Sequence, residues 1–207
     1  MQLEIPLDTV LDILRAVAHP SSDQRIPVLL NPSPALTLPD WAYSHLDVIV
    51  VNETEAAQVS GISFPTSTPR SVQEQEALIS TAHHAAQWFI NKGCRYSIVT
   101  LGAEGAVYGC RRVSDADSCP GLGHRRHVPS MKVPVVDTTA AGDTFMGALS
   151  VSLLENWSHT QQWGVDAEEE ERIILMSVQS AVKAASWTVT KKGTWNAMPL
   201  RRDIENS

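Results

Sequence analysis

The chain changes from strand-like to helix-like sequence within residues 135–154, VVDTTAAGDTFMGALSVSLL. The β-branched pair Val135 and Val136 favours a strand, and the amphipathic residues after Gly142 favour a helix. The small residues Ala140, Ala141 and Gly142 lie between the two elements, so we expect the strand to end near Val136 and the helix to begin near Gly142. A helix that starts in such a turn has unpaired backbone N–H groups, which attract anions. The stretch therefore predicts a strand–turn–helix unit with a candidate anion site.

Apolar patterning predicts an alternation of strands and helices along the rest of the chain. Short continuous apolar runs indicate strands buried on both faces, and apolar spacings of three and four residues indicate helices. Buried strands are predicted in IPVLLNP, LDVIVVN and YSIVTLG, GAVYGCR is predicted to pair with a later segment in an antiparallel hairpin, and HVPSMKVPVV is predicted as a further strand. Helices are predicted from Leu7, over residues 53–60 and 72–91, from near Gly142 through Leu154, and with the acidic run 168–171 in the first turn of the last helix. Because alternating elements with short connections imply right-handed crossovers, we predict an α/β fold with a mainly parallel sheet and helices on both faces. The sequence shows no internal repeat and no linker, so we predict a single domain over residues 1–207.

Composition and charge argue against several classes of partner. The chain has 207 residues, 43% hydrophobic content and a formal net charge of −7, which suit a globular protein with its own core. Nucleic acids and membrane surfaces are recognised by clustered positive charge, so we expect neither as a partner. The three cysteines show no C-x-x-C spacing, which indicates reduced thiols and predicts a location in the cytoplasm, with the nucleus as a further compartment.

The carboxylate of Asp143 is unexpected at an anion site, and two interpretations are open. As a general base, Asp143 would accept a proton from a hydroxyl nucleophile while backbone N–H groups hold a phosphoryl group. As a cap at the helix N-terminus, it would serve only the stability of the helix. The residues alone favour neither interpretation.

The segment DTTAAGDTF closely resembles the second signature of the ribokinase-like (PfkB) carbohydrate kinases, and its Ala-Ala-Gly-Asp form is typical of the ribokinases. The resemblance implies that Asp143 is the catalytic base at the sugar and that Ala140, Ala141 and Gly142 form the anion hole. MQLEIP is similar to the segment whose glutamate, here Glu4, binds the sugar. LNPSPA and HVPSMKV also resemble this family.

The resemblance also implies binding of ATP, Mg²⁺ and a monovalent cation such as K⁺. VNETEA resembles the family's Asn-x-x-Glu motif, which implies that Asn52 lies at the nucleotide and Glu55 in the Mg²⁺ region, although their spacing alone favours a capping box. VTLGAEGAVY resembles the nucleotide-binding strand and turn, here Thr100, Gly102 and Gly105. The monovalent-cation residues that the family implies are Asp137, Thr139, Thr188 and Gly193.

The match covers nearly the whole chain but only the C-terminal part of the family pattern. The first strands, the Gly-Gly sugar motif and the small β-lid are not recognisable, so we predict a domain truncated at its N-terminus and expect no lid-mediated dimer. The leading hypothesis is a ribokinase-type phosphotransferase that transfers phosphate from ATP to the 5-hydroxyl of D-ribose. Two alternatives remain, which are a nucleotide-binding remnant with little or no turnover and a related sugar or nucleoside kinase.

Overall fold

The computed structural model of the chain describes residues 1–18, 26–110, 125–160 and 167–205. The chain forms two compact units. The first unit contains Met1–Leu101 and Val107–His127, and the second contains Gly102–Ala106 and Val128–Ser207. Among the described residues, no helix combines the length and the apolar character needed to cross a membrane.

A five-stranded sheet with the spatial order β1-β2-β3-β4-β5 organises the first unit. The first three strands are parallel, and their register pairs Leu30 with Ile49 and Asn52 with Thr100. Residues 48–51 and 96–99 are all buried, as predicted for strands covered on both faces. The predicted α/β class with a mainly parallel sheet is therefore confirmed. The strands are β1 (Leu29–Leu30), β2 (Val48–Asn52), β3 (Tyr96–Thr100), β4 (Ala106–Cys110) and β5 (Arg125–Val128).

The helices of the first unit begin and end at local sequence signals. The Ser71 side chain accepts a hydrogen bond from the Glu74 N–H at the start of α4, and Gly61, with φ of 74°, ends α3 in the left-handed conformation that favours glycine. The predicted helices over 53–60 and 72–91 have the predicted bounds. The short helix α2 was not predicted, because four residues carry no measurable periodicity. The helices are α1 (Leu7–Ala18), α2 (Asp40–Tyr43), α3 (Glu53–Ser60) and α4 (Val72–Asn91).

The second unit is built around the packing of two long helices, α5 (Ala141–Thr160) and α6 (Ala167–Thr188). Their buried side chains include Phe145, Leu149, Ile174 and Val178. Two hydroxyl pairs join the helices, since Ser152 Oγ lies 3.0 Å from Ser177 Oγ and Thr188 Oγ1 lies 3.0 Å from Thr144 Oγ1. The acidic run lies in the first turn of α6, as predicted from the helix dipole. The remaining elements are the 3₁₀ turns Gly102–Glu104 and Trp195–Ala197 and the short helix α7 (Arg201–Glu205).

The strand predicted in HVPSMKVPVV is wrong beyond Val128, where β5 ends. Proline has no N–H to donate to a strand ladder, and this segment contains two prolines. Val135 and Val136 are 62% and 60% exposed. The Val136 N–H donates to the carbonyl oxygen of Val189 at 2.8 Å, so the segment is bound to the chain that follows α6 and not to a sheet. Helix α5 begins one residue earlier than predicted and extends beyond Leu154.

Candidate functional site

Polar residues follow the three parallel strands of the first unit at one edge of the sheet. Asn31 comes directly after β1, Asn52 is the last residue of β2, and Thr100 is the last residue of β3. Asn52 and Thr100 are register partners, and the Thr100 hydroxyl lies 3.4 Å from the carbonyl oxygen of Val51. Ligands of parallel sheets bind beyond the carboxyl ends of the strands. The fold thus places the predicted nucleotide residues Asn52 and Thr100 side by side at the edge where a ligand is expected.

Glu55 belongs to the same edge and is held in a capping box at the start of α3. The Asn52 side chain accepts a hydrogen bond from the Glu55 N–H at 2.8 Å, and Glu55 Oε2 accepts one from the Asn52 N–H at 3.0 Å. Asn31 Nδ2 also donates to Glu55 Oε2, at 3.1 Å. Glu55 is only 9% exposed. The capping box that the spacing favours is therefore present, and Asn31 adds a contact from the neighbouring strand.

Glu4 lies in an exposed turn near this edge. The preceding residues extend beside β1, because Gln2 forms a parallel bridge with Asn31 and the Leu3 N–H donates to the carbonyl oxygen of Ser33 at 2.9 Å. Glu4 follows directly and is exposed to solvent. The position leaves the Glu4 carboxylate accessible, which a sugar-binding role requires.

The glycine turn after β3 belongs to the second unit. Gly102 and Gly105 have φ of 50° and 91°, and the Gly105 N–H donates to the Gly102 carbonyl oxygen at 3.1 Å. A Cβ atom on Gly105 would lie 2.1 Å from the carbonyl oxygen of Val128 and 2.6 Å from the backbone nitrogen of Ser130. A Cβ atom on Gly102 would have no neighbour within 4 Å. Glycine is therefore required at position 105 for backbone packing, whereas the space at Gly102 is open.

The start of α5 combines a strained residue with an exposed carboxylate. Ala140 has φ of 62°, and it is the one non-glycine residue with positive φ in the described part of the chain. Such a conformation costs energy, and strained residues cluster at active sites and ligand-binding sites. Asp143 is exposed in the first turn of the helix, and it lies inside α5, whereas a cap residue precedes the first turn. A Cβ atom on Gly142 would meet nothing within 4 Å, so the backbone at the helix start is open to a ligand.

Asp137 is held by three hydrogen bonds close to this turn in sequence. Its Oδ1 accepts from the Thr139 N–H at 2.9 Å and from the Thr139 hydroxyl at 2.6 Å, and its Oδ2 accepts from the Gly193 N–H at 3.0 Å. The Thr139 hydroxyl, the Gly193 N–H and the Thr139 N–H lower the pKa of Asp137 to about 2, and the charge of Lys192 adds a smaller effect. The structure therefore brings together Asp137, Thr139 and Gly193, and these hydrogen bonds favour the charged form of the carboxylate.

Thr188 is the fourth residue predicted for the monovalent-cation site, and its hydroxyl forms hydrogen bonds with residues other than Asp137. The side chain is buried, and its hydroxyl lies 3.0 Å from Thr144 Oγ1 and 3.1 Å from the carbonyl oxygen of Ala184. These partners belong to the packing of α5 against α6. Within the described residues, the Thr188 side chain does not join the hydrogen-bonded cluster around Asp137.

The low pKa of Asp137 predicts a pH-dependent effect of the substitution Asp137→Asn. A carboxyl with a lowered pKa in the folded state stabilises the protein above its unfolded pKa of 3.8, and this contribution is lost as the pH falls toward about 2. We therefore expect Asp137→Asn to lower the free energy of unfolding at pH 7 and to have less effect at pH 3. Urea unfolding at both pH values measures this difference. Asp12→Asn is the control, since Asp12 forms an exposed ion pair with Arg15, and a pH-independent effect of Asp137→Asn would contradict the prediction.

The described residues contain no group of three or more His, Cys, Asp or Glu side chains arranged to hold a metal ion. Mg²⁺ at phosphate-transfer sites is commonly bound by one or two carboxylates together with substrate phosphates and water. Glu55, whose Oε1 accepts no hydrogen bond from the described residues, fits that kind of site.

The sequence analysis assigned no role to Asn31. An asparagine directly after a buried strand indicates a polar side chain at the carboxyl end of the sheet, where ligands bind.

Comparisons with known proteins show which family the chain resembles. Residues 1–201 match the family model described as pfkB family carbohydrate kinase. The chain is 31% identical over 204 residues to the ribokinase of Staphylococcus aureus (strain COL), covering 98% of this chain and 53% of that protein. It is 30% identical over 200 residues to the deoxyribokinase of Salmonella typhi, covering 96% of this chain and 52% of that protein.

A solved structure of ribokinase from Thermotoga maritima is also similar, with a TM-score of 0.65 and 27% identity. The alignment covers 99% of this chain and 54% of that structure. The chain thus spans about half the length of the curated relatives it matches.

Proposed function

Because the chain belongs to the pfkB family of carbohydrate kinases, we propose that it provides the nucleotide-binding and phosphoryl-transfer residues of a ribokinase-type kinase. The observation that carries this proposal is the start of α5, where strained Ala140 precedes an open helix N-terminus and an exposed Asp143. An open helix N-terminus with small residues suits a phosphoryl group, because backbone N–H groups and the helix dipole attract anions. A carboxylate at the same turn has a use if it accepts a proton from the attacking hydroxyl.

In the proposed reaction, the 5-hydroxyl oxygen of D-ribose attacks the γ-phosphorus of ATP. The hydroxyl proton passes to the Asp143 carboxylate, the bond to the β–γ bridging oxygen breaks, and ADP leaves. The backbone at Ala140, Ala141 and Gly142 would hold the phosphoryl oxygens. Asn52, Thr100, Gly102 and Gly105 are proposed to bind the nucleotide, and Glu4 the sugar. Phosphoryl transfer depends mainly on positioning and charge stabilisation, so this small set of groups suits it.

Two cations are part of the proposal. Mg²⁺, when bound, would neutralise charge on the transferred phosphate, and Glu55 is the residue of this chain that would hold it. Asp137, with Thr139 and Gly193, is the proposed region for a monovalent cation such as K⁺, because its hydrogen bonds lower the pKa of the carboxyl and favour its charged form. The buried Thr188 hydroxyl supports a packing role for that side chain and not a ligand role.

A second candidate function is nucleotide binding without appreciable turnover. The alignments cover about half of each curated relative, which favours this candidate for the chain as given. An acceptor hydroxyl must be held in line with the γ-phosphate, and loss of that orientation costs about 7 kcal/mol or more of barrier. Glu4 alone is insufficient to orient a sugar. A related acceptor, such as another sugar or a nucleoside, remains an alternative to D-ribose.

Coupled measurement of ADP release tests the proposal. We expect the chain alone to release ADP with D-ribose at well below about 1 s⁻¹, the low end of usual enzyme rates. We expect the same chain, joined to the remaining portion of the Staphylococcus aureus relative, to release ADP in a ribose-dependent manner. Failure of the joined protein to turn over, although folded, would contradict the proposed transfer function. Turnover of the chain alone above about 1 s⁻¹ would exclude the second candidate.

A further inference from the structure

Both amide hydrogens of Asn31 donate hydrogen bonds at the carboxyl ends of the parallel strands in the first unit. Nδ2 donates to the carbonyl oxygen of Val50 at 2.9 Å and to Glu55 Oε2 at 3.1 Å. The Gln2 amide lies 3.4 Å from Asn31 Oδ1 on the other side. The Asn31 amide is therefore fixed by the sheet next to it, and it fixes the Glu55 carboxylate in turn.

The two oxygens of Glu55 have different surroundings. Oε2 accepts hydrogen bonds from the Asn52 N–H at 3.0 Å and from the Asn31 amide, whereas Oε1 accepts none from the described residues. Two donors on Oε2 from different elements prevent the carboxylate from turning both oxygens toward one cation without breaking these bonds. Glu55 is thus arranged to offer one oxygen to a ligand.

The number of oxygens that a carboxylate offers bears on which divalent ion it prefers. Ca²⁺ takes six to eight oxygen ligands and often binds carboxylates through both oxygens. Mg²⁺ requires an octahedral shell, keeps several waters and is satisfied by a single carboxylate oxygen. A carboxylate restricted to one oxygen therefore disfavours Ca²⁺ more than Mg²⁺.

We propose that Asn31 is a positioning residue that restricts Glu55 to one-oxygen binding and thereby makes the nucleotide-associated divalent site prefer Mg²⁺ over Ca²⁺. This inference rests on the proposed function, because it requires that Glu55 serves the divalent ion of a bound nucleotide. Asn31 itself contacts neither the ion nor the nucleotide in this proposal. Its effect on the ion passes entirely through the hydrogen bond to Glu55.

The test is calorimetry of ADP binding to the full chain at increasing Mg²⁺ or Ca²⁺ concentration. The measured quantity is the ratio of the half-saturating Ca²⁺ concentration to the half-saturating Mg²⁺ concentration. Asn31→Ala removes the amide, and Asn31→Leu keeps a similar size without the donor or a new charge, so it serves if the alanine variant does not fold. Asn156→Ala is the matched control, since the Asn156 amide donates to a backbone carbonyl, that of Ser152, at 2.7 Å on α5. Glu55→Gln is the positive control, because it removes the charge but retains the acceptor that a capping box needs.

For the wild-type chain we expect a Ca²⁺-to-Mg²⁺ ratio of about five or more, given the geometric demands of the two ions. Loss of a residue that orients a metal ligand commonly weakens metal binding by about 10-fold or more, so we expect both Asn31 variants to need about 10-fold more Mg²⁺. The Ca²⁺-to-Mg²⁺ ratio should fall by about threefold or more, because Glu55 becomes free to offer both oxygens. Asn156→Ala should leave the ratio unchanged.

The possible failures are distinguishable. If the wild-type chain binds ADP and the folded Asn31 variants show the wild-type ratio, or if the wild-type ratio is one, this inference is overturned and the proposed function stands. If the wild-type chain binds no ADP with either ion, the proposed function fails and the inference fails with it.

Discussion

Replacing Asp143 with asparagine is expected to lower kcat for ribose phosphorylation by about 1000-fold or more, because the variant cannot accept the hydroxyl proton. The measurement uses a form that turns over, such as this chain joined to the remaining portion of a curated relative. Asparagine has nearly the same size and shape as aspartate, so the anion-binding backbone of α5 should be preserved. ADP affinity is therefore expected to change little.

The control for Asp143→Asn is Asp8→Asn, because Asp8 is also an exposed acidic residue in the first turn of a helix. Both substitutions remove a favourable interaction with a helix dipole, which is worth about 0.3–1 kcal/mol. The control should show the same small loss of stability and no loss of kcat. Retention of more than about a tenth of the wild-type kcat by Asp143→Asn would remove this residue from the role of general base.

Replacing Gly105 with alanine is expected to lower the free energy of unfolding by about 3 kcal/mol or more, through backbone strain and a clash that the surroundings cannot relieve. The new Cβ atom would lie 2.1 Å from the Val128 carbonyl oxygen and 2.8 Å from the Pro129 carbonyl carbon, both of which are backbone atoms. Flexible side chains move aside at low cost, but backbone atoms of a packed segment do not. Equilibrium unfolding in urea, followed by circular dichroism, measures the change.

Gly61→Ala is the matched control for this substitution. Gly61 has φ of 74°, but a Cβ atom there would meet nothing within 4 Å. The control carries the strain of a left-handed residue without a clash, so we expect a loss of about 1–2 kcal/mol. Equal losses in the two variants would contradict the packing role of Gly105. Weaker nucleotide binding by Gly105→Ala is interpretable only after this comparison, because the glycine is needed for the fold itself.

The parts of the fold that were predictable from sequence are those that depend on local signals. The bounds of α3 and α4 follow from the capping residues Asn52 and Ser71 and from apolar spacing, which act within a few residues. The strand predicted through Val135 and Val136 was wrong because a strand requires a partner, and β-branched residues alone do not provide one. Val136 instead donates its N–H to the carbonyl oxygen of Val189, a contact between distant parts of the sequence.

Some positions in the candidate site were also predictable from local sequence, whereas contacts between distant segments were not. The rule that ligands bind at the carboxyl ends of parallel strands located Asn52 and Thr100 without knowledge of the register. The contact of Asn31 with Glu55 was missed, because it depends on how β1 aligns with β2 and α3. The hydrogen bond from Gly193 to Asp137 spans 56 residues, and only the family resemblance placed these two residues in one region. The Thr188 hydroxyl bonds to Thr144 and to the Ala184 carbonyl oxygen, and its part in a cation site stays a prediction.

Calorimetric titration of the full chain with ATP in the presence of Mg²⁺ measures whether the chain holds a nucleotide phosphate at the start of α5. We expect binding with a Kd of about 0.1–1 mM, which corresponds to about −4 to −5.5 kcal/mol. We expect Gly142→Leu to abolish the binding signal, because the leucine would occupy the open space at the start of α5 that the phosphate needs. The protein should stay folded, because no neighbouring atom lies within 4 Å of the new Cβ. Absence of ATP binding by a folded wild-type chain, or unchanged binding by Gly142→Leu, would contradict the claim that this chain holds a nucleotide phosphate at that helix.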